Sequence, residues 1–299
     1  MAGPASTWPA AVSERSAALV RGPLVRATVL AAFPSALYLQ VGGHTDVLPV
    51  VARQGLRLPT ALALATPLPT VGWGAQPGDE VVVGAGEVRL PGVVIRAVRT
   101  WRPQCVGRAT GSPGYAPLAT LPLAWRRPGR ALVEQLVSDP AEPDRLARRV
   151  ASLVGAGPGL TPSGDDVLCG VLLGLRLHPR GSARHLTDLW QAVRPRLTAT
   201  TSLSAALLRE AADGYAAEPV TRLLHLLAAP GRASSLEVAA AEAVRAVLAI
   251  GHTSGADLLG GLSGCLDALD ATGGPGGVES PGASLRLTPS PTHAARSLP

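Results

Sequence analysis

Residues 155–166 read Gly-Ala-Gly-Pro-Gly-Leu-Thr-Pro-Ser-Gly-Asp-Asp and run directly into the apolar stretch Val167–Leu175. Glycines let a backbone adopt positive φ and come close to a ligand. A helix starting behind them would add unpaired N–H groups and the positive end of its dipole, a combination that favours phosphate or carboxylate. Gly157, Gly159, Thr161, Ser163, Gly164 and Asp165 are therefore candidate anion-binding residues, and Asp166 a candidate catalytic acceptor. The segment lacks the GK[ST] of a phosphate loop, no clear strand precedes it as a dinucleotide fingerprint requires, and Ser163 lies between Pro162 and Gly164 rather than in GxSxG.

The pattern returns 91 residues later: Ser163-Gly-Asp-Asp166-Val-Leu aligns with Ser254-Gly-Ala-Asp257-Leu-Leu, and a Thr precedes each copy, Thr161 and Thr253. Thr253, Ser254 and Gly255 join the anion-binding candidates, with Asp257 and His252 as catalytic ones. His252 is the well-placed group that titrates near neutrality. Small residues recur four apart behind both copies, Gly170 with Gly174 and Gly260 with Gly264. This predicts two buried helices crossing near their starts, with their motifs side by side. A plainer account competes for Ser163, Asp166, Ser254 and Asp257: Ser at the N-cap with an acid three residues on is an ordinary capping box. The cap alone does not require Gly157, Gly159, Asp165 or His252. The cluster Thr200–Ser204 reads as a capped helix start. His178, His185, His225 and His293 have no ligand-type neighbours at zinc spacing, and adjacent carboxylates are a weak magnesium signal. No cofactor and no metal site is expected.

The elements that must hold these motifs fall into two textures. Residues 26–102 are rich in Val, Leu and Thr and cut by Gly and Pro; Ala36–Val41, a hairpin through Gly84-Ala-Gly86, and a further turn at Pro91–Gly92 read as short strands. An antiparallel sheet or small barrel is expected there, after an N-terminal extension over 1–25. Residues 103–128 are dense in Gly and Pro and read as a linker or long loop. From 129 to 270 the apolar period becomes helical: Leu146, Val150, Leu153 and Val154 share a face that ends at Gly155, and further helices are expected over Thr200–Ala212, Glu218–Leu227 and from Ser234. Residues 271–299 read as a disordered tail. The fold class is thus α+β, a β-rich N-terminal part followed by an α-helical C-terminal part.

Apolar residues make up 46% of the 299-residue chain and charged ones 16%, which excludes a disordered protein. The net charge of +6 comes wholly from Arg; scattered Arg and 3% aromatics form no basic patch with stacking platforms, so no nucleic-acid partner is expected. Val167–Leu175 falls well short of the about 20 apolar residues of a membrane span. Cys105, Cys169 and Cys265 form no CxxC pair and no even framework. With no leader pattern at the start, a cytoplasmic protein is expected.

The glycine motif, with Thr201-Ser-Leu-Ser204, Glu210-Ala-Ala-Asp-Gly214 and the second motif Gly251–Leu259, resembles the AllH-like family. The resemblance implies a subunit of an oxamate carbamoyltransferase from anaerobic allantoin breakdown, which converts oxalurate and phosphate into oxamate and carbamoyl phosphate. It further implies partner subunits and an anionic small molecule as ligand: phosphate, carbamoyl phosphate or an oxamate-like acid. The Ser-Thr-Arg-Thr loop of the ordinary aspartate and ornithine carbamoyltransferases is missing, so their fold is not expected. Two other readings stand beside this one: a non-catalytic anion-binding or assembly subunit, and a stand-alone enzyme of different specificity.

Overall fold

The computed structural model describes residues 6–110, 116–138, 142–229 and 234–272. Strands come first: β1 (Ser6–Ser13), the short helix α1 (Ala17–Arg21), β2 (Val25–Phe33), β3 (Ala36–Val41), β4 (Val47–Val51), β5 (Leu62–Leu64), β6 (Glu80–Gly84), β7 (Glu87–Leu90) and β8 (Val93–Trp101). They close into a barrel in the order β1-β5-β4-β3-β2-β6-β7-β8. Most neighbours are antiparallel, as the short strands and tight turns predict; β8 closes onto β1 in parallel, and β4 pairs with β5 in parallel. The Gly84–Glu87 pairing leaves Ala85 and Gly86, both at positive φ, as a two-residue hairpin loop whose twist matches its strands. β1 falls in the stretch read as an extension, and its alternate residues Ala10 and Val12 are buried in the barrel.

Alternation sorts the side chains. Leu37 and Leu39 of β3, Leu48 and Val50 of β4 and Ile95 of β8 fill the barrel interior. β4 is buried along its whole length because its other face, at Val47, belongs to the core of the helical part.

Helices follow: α2 (Ala116–Ala119), α3 (Leu123–Ser138), α4 (Pro143–Leu153), α5 (Ser163–Leu177), α6 (Ala183–Val193), a 3-10 turn over Arg194–Ala199, α7 (Ser202–Ala212), α8 (Glu218–Ala228), α9 (Ser234–Leu248) and α10 (Ser254–Ala271). α2 and the start of α3 lie in the stretch read as a linker, where Gly and Pro mask the period; Leu118 and Leu121 nonetheless pack into the helical core. From residue 273 onward the expected tail lies outside the described residues.

α5 is the centre of this part, buried at every residue from Gly164 to Leu175. It crosses α10 closely, as the spaced glycines predict: a Cβ at Gly170 would strike the Leu258 carbonyl, one at Gly174 would come within 2.9 Å of Cys265 Sγ, and one at Gly261 would strike Val167. The second glycine pair points elsewhere. Gly260 and Gly264 admit the backbone of α3 at Trp125 and Arg126, so α10 is flanked by close neighbours on two sides.

The barrel and the helices meet along α7 and the loop behind it. Arg15 makes two hydrogen bonds to the buried Glu210, at 2.7 and 3.0 Å, reaches Asp213, and stacks 4.5 Å from the Tyr215 ring centroid. Ser202 donates to Gln40 at 2.9 Å, and His44 lies 3.1 Å from the Thr200 carbonyl.

Candidate functional site

The loop between α4 and α5 takes its shape from three glycines at positive φ: Gly155 at +72°, Gly157 at +123° and Gly159 at +90°. Gly155 ends α4 in the left-handed region. At Gly157 a Cβ would lie 2.8 Å from the Ser163 amide nitrogen, so only glycine lets the loop fold back over the helix start. Gly159 is different: a Cβ there meets nothing within 4 Å, and only the backbone conformation demands glycine. The Gly159 and Leu160 amides have no hydrogen-bond acceptor among the described residues.

Asp165 is the anchor of this loop rather than a ligand-binding group. Its Oδ1 accepts from the Gly155 amide at 3.0 Å, its Oδ2 accepts from the Thr200 hydroxyl, and it is 1% exposed. Burial raises its pKa, and the hydrogen bonds from Thr200, Gly155 and Ser204 oppose that rise. Thr201 fixes the other end of the loop by donating to the Leu160 carbonyl at 2.5 Å.

The capping-box account of the two motifs is corrected here. Pro162 holds the N-cap position of α5 and Thr253 that of α10, neither with a side-chain cap, and both serines are the first helical residues. The Pro162 carbonyl already accepts from the Asp165 and Asp166 amides. The serine at the second helix start is used across the crossing instead: Ser254 Oγ lies 2.7 Å from Thr161 Oγ1 and also hydrogen-bonds the Asp166 carboxyl. Thr161, Asp166 and Ser254 thus tie one helix start to the other.

Asp166 is 6% exposed, and its Oδ2 is buried with no partner among the described residues, as is Oδ2 of Asp257. Burial pushes the Asp166 pKa up to about 8; the Ser254 hydrogen bond opposes this, and the charges of Asp257 and Asp165 add to it. At neutral pH Asp166 therefore carries its proton and can donate a hydrogen bond where a carboxylate would repel an anion.

A cavity of about 820 Å³ opens between the barrel and the helices at this crossing. Among the sequence candidates, Gly159, Thr161, Asp166, His252, Thr253, Ser254 and Gly255 line it. Gly157, Ser163, Gly164, Asp165 and Asp257 do not, although Asp257 acts on Asp166 through its charge. Sequence reasoning missed the remaining walls: Tyr38 from β3, Cys169 and Leu173 from α5, Leu203 and Leu207 from α7, and Tyr215. Cys169 and Leu173 were within reach of a helical-period argument, lying three and seven residues beyond Asp166. Among the described residues no group of three or more His, Cys, Asp and Glu is arranged to hold a metal ion, and no helix is long and apolar enough to cross a membrane.

Residues 153–266 match the family model of the oxamate carbamoyltransferase subunit AllH. The match begins at the last residue of α4 and ends within α10, so it contains both glycine motifs and every helical wall of the cavity from Pro158 to Leu258. The barrel lies outside it. No solved structure matches the chain.

Proposed function

We propose that the chain is a subunit of a carbamoyl-transferring enzyme of the oxamate carbamoyltransferase type, holding a small anionic or ureido group at the crossing of α5 and α10. One observation carries the reading: the segment that matches the AllH family is the segment that brings Thr161, Asp166 and Ser254 together at the wall of a cavity. All four reactants implied by the family bear a carboxylate or a phosphate. The Gly159 and Leu160 amides, the Thr161 and Ser254 hydroxyls and the protonated Asp166 supply donors without adding negative charge.

In the transfer a phosphate oxygen attacks the carbamoyl carbon of oxalurate, the bond from that carbon to the oxamate nitrogen breaks, and the nitrogen takes up a proton. A carboxyl that still holds its proton at neutral pH suits the last step, and hydroxyl and amide donors suit the oxyanion formed before it. Asp257 supports the step by keeping Asp166 protonated. His252, exposed on the cavity rim, is a second candidate for proton exchange with solvent.

The test is thermal stabilisation by phosphate, carbamoyl phosphate and oxamate, read for the wild type and Gly159→Ala with any partner subunits present. Gly159→Ala forces φ +90° on a residue with a Cβ, at a cost of about 1–2 kcal/mol. The open space at that position leaves the rest of the fold intact. Ligand stabilisation should be lost in the variant; stabilisation equal to wild type would remove the loop from the site.

A further inference from the structure

The cavity is much larger, and much less polar, than the reactants of the family reaction need. Thr161, Asp166, Thr253 and Ser254 gather at the helix crossing, whereas most of the rest of its wall is built from apolar side chains such as Leu56, Leu173, Leu203, Leu207, Val220 and Leu258. Pockets of about 300–1,000 Å³ take drug-sized molecules. Oxamate or carbamoyl phosphate has a handful of heavy atoms and would leave most of the 820 Å³ and nearly all of the apolar wall uncovered.

The wall has a direction. Along α5 the lining residues Asp166, Cys169 and Leu173 form one row, from a buried carboxyl with an unpartnered oxygen to a leucine about 10 Å further along the helix. Leu203, Leu207 and Ala211 of α7 form a second, wholly apolar row. A ligand matching both rows has a hydrogen-bonding head at one end and an apolar body about as long as a medium alkyl chain.

We propose that the cavity binds an N-substituted oxamate or ureido acid, its head at Asp166, Thr161 and Ser254 and an aliphatic substituent on nitrogen lying along Leu173 and Leu207. This rests on the anion-binding reading of the helix crossing given above and names the substrate class of that site. The apolar body gains by leaving water.

Isothermal titration of the full chain with oxamate, N-butyl oxamate and N-octyl oxamate tests it, with N-octyl acetamide as the probe that keeps the tail and lacks the acid head. Affinity should rise by about fourfold per added methylene until the cavity is filled. Leu207→Trp, which fills the apolar end, should cancel that gain. Ala216→Phe, in the loop behind α7, should do the same and covers the case in which the tryptophan variant fails to fold. Equal affinity for all three oxamates would overturn the inference and leave the proposed function standing. Equal affinity for N-octyl oxamate and N-octyl acetamide would overturn both, because the head would then contribute nothing. Both also fall if no probe binds.

Discussion

The two helix starts carry nearly the same sequence and share one packing device, yet their surroundings set them to different tasks. Gly164, second residue of α5, sits on the Leu153 carbonyl at the end of α4; Gly255, second residue of α10, sits on the Val247 carbonyl near the end of α9. Their amides donate back to the preceding loops in the same way, to Ala156 at 2.9 Å and to Ile250 at 3.1 Å. The next position separates them. Asp165 in α5 ties down a loop with three positive-φ glycines, while Ala256 in α10 follows a shorter loop with Gly251 alone at positive φ. Asp166 is almost fully enclosed and Asp257 only half so. A shared motif therefore specifies how two helices seat on their neighbours, and the residues around each copy decide how deeply its acid is enclosed.

The strongest way to break the comparison is to add one methyl group at each seat. In Gly164→Ala and Gly255→Ala the new Cβ overlaps a backbone carbonyl that cannot swing aside as a side chain can. Each should lose about 3 kcal/mol or more in denaturant unfolding. A much smaller loss in one variant would show that the two starts are not seated alike.

Asp165→Ala should cost about 2 kcal/mol, since it strands the half-buried Gly155 amide and Thr200 hydroxyl. The variant should resist denaturant less than wild type at every pH from 6 to 9, as expected for an anchor rather than a titrating group. A loss confined to part of that range would contradict the anchoring role.

The smallest effect has the sharpest sign. The Asp166 pKa is raised to about 8 from the ordinary carboxylate value, so the folded state holds a proton that the unfolded chain releases. Its stabilising contribution is complete below the unfolded pKa and is lost as pH rises through about 8. Asp166→Asn should flatten that decline and gain about 1 kcal/mol over wild type at pH 9. Anion binding by the wild type should weaken through the same pH window, which titration calorimetry at pH 6 and pH 9 would measure.

Much of this was legible in the chain. Gly84-Ala-Gly86 announces its hairpin, and the 91-residue repeat with spaced glycines announces the α5–α10 crossing. β1 was illegible because Trp8-Pro-Ala-Ala breaks the strand texture with a proline and small residues, and its closure on β8 is a pairing of residues far apart in sequence. The serine caps were misread for a related reason: a cap is a local inference, whereas Ser254 finds its partners, Thr161 and Asp166, across a crossing no local rule contains. The apolar wall was hidden because β3, α5 and α7 each contribute one face that, taken alone, reads as ordinary core.

The order of elements along the chain separates the molecule into halves: every strand precedes residue 102 and every helix from α2 onward follows it. The glycine-seated helices α3, α5 and α10 leave no slack between them, so they are poor candidates for movement. The barrel and the helical part instead meet at a seam where Arg15 pairs with Glu210 and Asp213 and stacks on Tyr215, beside apolar contacts of Val47 and Leu58 with the helical core, and the backbone crosses it once. Such a joint behaves like a book with one spine. Raised ionic strength, which screens its partly exposed charges, should loosen the covers before it disturbs either half.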